Sequence, residues 1–92
     1  MIKPNELNGI ILFISESCKI CSKQKELYNK LGIKFQEIIC DNDPNYFIET
    51  FGIDLLPETR IYENGNLVWK RVDIVHEETD IEFLRNYIWF TI

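Results

Sequence analysis

The chain has 92 residues and a formal net charge of −5, with 46% apolar and 13% aromatic residues. This is one domain, able to build a hydrophobic core and unlike a disordered segment. Its ten basic residues are outnumbered by fifteen acidic ones and scattered, with only Lys70 and Arg71 adjacent, which argues against a nucleic-acid or membrane-surface partner.

No stretch is apolar over the length a bilayer demands. Met1-Ile2-Lys3-Pro4-Asn5-Glu6 carries no cationic lead into a signal-peptide core, so a cytoplasmic location is expected. In that compartment three cysteines read as reactive thiols or metal ligands rather than as structural staples. With no repeat, low-complexity tract or linker, residues 1–92 are expected to be a single domain and a monomer.

Asn8-Gly9 makes a turn, and Ile10 to Ile14 is a continuous apolar run, the pattern of a central strand covered on both faces. Ser15-Glu16-Ser17 breaks it, with Ser17 as the expected helix N-cap. Ile20, Leu27, Tyr28 and Leu31 then recur at helical spacing until Gly32 stops the helix. Ile33 to Cys40 returns to a strand. Asp43 and Pro44 open a short helix carrying Tyr46, Phe47 and Phe51 and ending at Gly52; Asp41 and Asp43 both read as caps. Thr59 to Glu63 and Leu67 to Val72 flank Asn64-Gly65, a strong hairpin signal. Thr79-Asp80-Ile81-Glu82 predicts a capping box on a last helix with Ile81, Leu84 and Ile88 as its apolar stripe. The order βαβαββα implies a four-stranded mixed α/β sheet with helices on both faces.

Cys18 and Cys21 fall in the first turn of the first helix, where backbone amides and the helix dipole favour an anion. Lys19 and Lys23 add positive charge nearby. Cysteines three apart in such a turn can close a disulfide. Cys18, at the exposed tip, is expected to attack, and Cys21, deeper in the helix, to resolve. Leu56-Pro57 ahead of the hairpin offers a second surface: were this peptide bond cis, the Leu56 backbone would face the thiols and could pair with an extended substrate.

The run from Ile10 to about Ile88 resembles the thioredoxin-like superfamily, in the small glutaredoxin/thioredoxin form. The resemblance rests on the strand before Cys18-Lys19-Ile20-Cys21, Asp41-x-Asp43-Pro44, Phe51-Gly52-Ile53 leading to Leu56-Pro57, and Glu63-Asn64-Gly65. It implies a thioredoxin-like domain over 1–92 and a thiol–disulfide oxidoreductase. Cys18 would be its nucleophile, Cys21 its resolving thiol and Pro57 its cis-proline, with Leu56, Lys19 and Ile20 on the substrate side. It also implies no bound cofactor beyond the redox-active disulfide, protein disulfides as clients, and glutathione or a thioredoxin reductase as electron donor.

The chain departs from the family at Ser17, where thioredoxins carry tryptophan, at Leu12, where they carry a buried aspartate, and at Val72-Asp73, near where glutaredoxins carry glycines. These departures leave a thioredoxin-fold binding module as an alternative. A metal site is a further one; it would have to recruit Cys40 and His76, at spacings unlike the usual zinc patterns.

Overall fold

The computed structural model describes residues 1–87; the Ile88 position of the last apolar stripe and the Trp89-Phe90-Thr91-Ile92 terminus, which the sequence leaves open as a partner contact, lie outside them. A short 3-10 helix, Pro4–Glu6, precedes strand β1 (Gly9–Ile14), helix α1 (Lys19–Lys30), β2 (Gln36–Ile39), α2 (Pro44–Phe51), β3 (Glu58–Glu63), β4 (Asn66–Val72) and α3 (Glu78–Arg85). Beyond the 3-10 turn, which the sequence did not announce, this is the expected βαβαββα order.

The sheet runs β2-β1-β3-β4. β1 pairs parallel with β2, from Ile11 opposite Gln36 to Ile14 opposite Ile39, and antiparallel with β3 on its other side. β1 is therefore central, and all six of its residues are buried. Strand alternation sends Ile11 and Phe13 to one face, where they meet Phe47 and Phe51 of α2. It sends Ile10, Leu12 and Ile14 to the other, where they meet Cys21 and Tyr28 of α1 and Leu84 of α3. The continuous apolar run in the sequence is thus one strand serving two cores.

Several boundaries differ from the sequence reading. Ile33 to Phe35 stay outside β2, because pairing with β1 begins only where Gln36 meets Ile11. The last helix starts at Glu78 with Glu77 at its cap and no side-chain cap bond, so the Thr79–Glu82 capping box does not form. Asp43 does cap α2, accepting the Tyr46 N–H at 3.1 Å. Gly52 closes that helix in the left-handed conformation, φ 69°.

The β3–β4 hairpin turns at Asn64 and Gly65, both at positive φ. A Cβ on Gly65 would lie 2.6 Å from the Asn5 Cα, so the N-terminal 3-10 turn packs directly on glycine backbone. The register slips between Ile61 and Tyr62, which pair with Trp69 and Leu67 and leave Val68 as the extra residue of a bulge.

Candidate active site

The first helical turn sets the thiol geometry. Cys18, not Ser17, is the N-cap of α1: its backbone is extended (φ −91°, ψ 114°), and its sulfur accepts the Cys21 N–H at 3.2 Å. Serine is the stronger cap by type, but Ser17 sits one residue early, its hydroxyl 3.0 Å from that of Ser15. Cys18 is partly exposed, Cys21 is buried, and both are free thiols. Lys19 and Ile20 between them face solvent, with Ile20 47% exposed.

Burial, more than anything else, pushes the Cys21 thiol up to about 12; its hydrogen bond to Cys18 and the charges of Cys18 and Asp41 act in the same direction. One contact opposes them, a backbone hydrogen bond from Ser15. The resting protein therefore holds Cys21 as a neutral thiol beneath an accessible Cys18.

The Leu56–Pro57 peptide bond is cis. Pro57 is fully buried, while Leu56 is half-buried and packs against the clusters on both faces of the sheet, including the one that Cys18 borders. Leu55 beside it is 61% exposed, so apolar side chains of α1 and of this loop both reach the surface. The Pro57 carbonyl accepts the Asp73 N–H at 2.8 Å. Asp73 stands near the position where glutaredoxins carry glycine and adopts φ 73°, a left-handed conformation that aspartate tolerates better than most residues.

Cys40 belongs to the other face, in the cluster under α2. Burial, then the nearby carboxylates of Asp41 and Glu58, push its thiol up to about 11. His76 is exposed, 3.8 Å from Glu77. Among the described residues no three His, Cys, Asp or Glu side chains gather around a point that could hold a metal ion.

Two polar features went unseen in the sequence. Asp41 reads there as a cap, yet it caps no helix: its carboxylate accepts the Glu16 N–H at 2.9 Å and a hydrogen bond from the Ser15 side chain. Those bonds hold it below the usual carboxylate range and tie the end of β2 to the loop that delivers Cys18. The second is a buried ion pair, Glu58–Arg60, on the α2 face. Nothing in the sequence but a small polar residue after a strand, and two charges within a strand, could have marked either.

No protein-family profile matches the chain, and no curated protein matches it by sequence. Solved structures do. Thioredoxin-2 of the malaria parasite, a component of its protein secretion machinery, is 17% identical, with 85% of this chain and 81% of that one covered and a TM-score of 0.68. Thioredoxin f2 of Chlamydomonas reinhardtii is 16% identical, with 89% and 82% covered and a TM-score of 0.68. Desulfothioredoxin from Desulfovibrio vulgaris Hildenborough, in its reduced form, is 15% identical, with 88% and 82% covered and a TM-score of 0.67. At such identities the likeness is one of fold.

Proposed function

The chain has the thioredoxin fold, and we propose that it works as a small dithiol–disulfide oxidoreductase that reduces or exchanges disulfides in protein substrates. One observation carries this reading: the Cys18 sulfur sits partly exposed at the N-terminus of α1, accepting the Cys21 N–H at 3.2 Å, with the second thiol of the pair buried beneath it.

The reaction runs in two exchanges. The Cys18 thiolate attacks one sulfur of the substrate disulfide; the S–S bond breaks, a mixed disulfide forms and one substrate thiolate departs and is protonated. Cys21 then gives up its proton and attacks the Cys18 sulfur. The mixed disulfide breaks, the second substrate thiolate leaves and takes up a proton, and Cys18–Cys21 becomes the disulfide. Two electrons pass from the dithiol to the substrate. Ile20, Lys19, Leu56 and Pro57 are the substrate-side residues of this proposal. A reductase or glutathione returns the electrons, and the chain acts as a cytoplasmic monomer.

The test is reduction of a protein disulfide such as insulin, supplied with each common electron donor. Wild type turns over, and Cys18→Ser does not. A wild type as inactive as Cys18→Ser with every donor rejects the reading.

A second reading, a binding module that keeps the thiols without turnover, draws on Leu12. It shares the buried cluster of Cys21, so no carboxylate stands there to take a proton. Partners captured by Cys21→Ser separate the two: disulfide-linked clients support the enzyme, and exclusively non-covalent ones the module.

A further inference from the structure

Resting on the dithiol reading, we propose that Gln24 and Asp73 are positioning residues for its first exchange. Together they tie the Leu56–Pro57 loop, the substrate side of that reading, to the helix that carries the thiols.

The helix end of the tie is Gln24, one turn beyond Cys21 on α1 and fully buried. A buried amide needs partners for both its donor and its acceptor. Gln24 finds both on one residue: its Nε2 donates to the Val75 carbonyl at 3.0 Å, and its Oε1 accepts the Val75 N–H. Two bonds to one residue fix the direction of its backbone as well as its place. An apolar side chain could fill the same space on α1, but it could not hold the 73–75 segment in that way.

The loop end is Asp73, the first residue after β4. Its N–H donates to the Pro57 carbonyl at 2.8 Å, one step past the last β3–β4 pair, Glu58 with Val72. Asp73 makes this turn at φ 73°, and its own carboxylate accepts the Ile74 N–H at 2.8 Å. Cys21, Gln24, Val75, Asp73 and Pro57 thus lie on one continuous path of covalent and hydrogen bonds.

The first exchange depends on where the substrate S–S bond lies relative to the Cys18 sulfur. An extended substrate lying along Leu56 has its disulfide placed by the loop. Loosening the tie misplaces that disulfide, whereas a disulfide too small to reach the loop is indifferent to it.

The experiment is rapid-quench kinetics of Cys18 adduct formation, read by mass spectrometry in a Cys21→Ser background. Two probes are compared: 2-hydroxyethyl disulfide, and the symmetric disulfide of a short uncharged peptide with a central cysteine. Gln24→Ala should slow the peptide reaction about ten-fold, the rate equivalent of one or two lost hydrogen bonds, and leave the small disulfide's rate unchanged. Asp73→Val, which disfavours positive φ, should do the same. Asp73→Gly, which keeps the turn and the amide, should react with both probes as the Cys21→Ser parent does. Equal slowing with both probes overturns the proposal, as does a peptide rate untouched by Gln24→Ala or by Asp73→Val. So does an Asp73→Gly variant as slow as Asp73→Val, because the carboxylate and not the amide would then be responsible. Absence of any Cys18 adduct from either probe in the parent is a different failure: it removes the dithiol reading itself, and this inference with it.

Discussion

On the α1/α3 face of the sheet the buried polar groups are neutral and matched. Gln24 donates to the Val75 carbonyl at 3.0 Å and accepts the Val75 N–H, and the Tyr28 and Thr59 hydroxyls lie 2.8 Å apart. Under α2 the same sheet buries a full ion pair. Arg60, 4% exposed, donates through Nε to Glu58, through Nη1 to the Tyr62 hydroxyl at 2.8 Å and through Nη2 to the Phe51 carbonyl at 2.6 Å. Its guanidinium also lies 5.6 Å from the Phe13 ring centroid and 6.0 Å from that of Phe51. A desolvated charge survives there because each guanidinium nitrogen has a partner.

The contrast teaches where thiol chemistry can sit. Burial raises both thiols and Asp41 acts on both, but Cys40, on the charged face, also feels Glu58, whereas Cys21 feels Cys18 at the rim of the neutral face. The ion pair locks α2 to β3, and Cys18 and Cys21 lie on the other side of the sheet from it.

Breaking the ion pair is the harshest trial of that division. Arg60→Met leaves Glu58 buried without a counter-charge and should cost about 3–5 kcal/mol in urea unfolding. Glu58→Gln combined with Arg60→Met should recover part of the loss. The rate of Cys18 exchange in the protein that remains folded should not change; if it falls with stability, the two faces are not independent.

On the neutral face the expected loss is smaller. Gln24→Ala strips partners from both backbone groups of Val75 and should cost about 2–3 kcal/mol by the same measurement. That substitution frees the segment next to α1 that carries Asp73 and Val75.

A third effect is one of pH. Burial holds Cys40 at about 11 and Cys21 at about 12, against an ordinary thiol value of 9.0. Folded-state values above unfolded ones mean that the stability these thiols contribute is complete below pH 9.0. It is lost as pH rises toward 11 for Cys40 and 12 for Cys21. Urea midpoints should fall across that alkaline window, and Cys40→Ala should flatten the decline. A slope unchanged by Cys40→Ala would show that this thiol ionises as easily folded as unfolded.

Much of the frame was legible in the sequence because it rests on local signals. The run from Ile10 to Ile14 needed only its continuity to mark a strand buried on both faces, and Asn64-Gly65 only its type to mark the hairpin. Asp43-Pro44 and Gly52 bounded α2 for the same reason. The thiol pair was legible, too, as a motif at a helix start. What stayed hidden depends on partners far along the chain. Glu58 and Arg60 read as ordinary strand charges until α2 covers them. Asp41 reads as a cap until folding brings it against Ser15 and Glu16, 25 residues from the latter. Ser17 is the residue type that should cap α1, yet the chain turns one position later and leaves a sulfur in that role.

The central claim is that the Cys18 sulfur attacks a substrate disulfide, with Cys21 needed to release it and Cys40 taking no part. Mapping the adduct tests it most directly. Cys21→Ser and Cys18→Ser are each mixed at neutral pH with an oxidised protein disulfide, quenched with acid and digested for mass spectrometry. The prediction is a persistent mixed disulfide on Cys18 in the Cys21→Ser protein, and no adduct on Cys21 or Cys40 in the Cys18→Ser protein. An adduct that forms on Cys40, or a Cys18 that stays unmodified, would contradict the account.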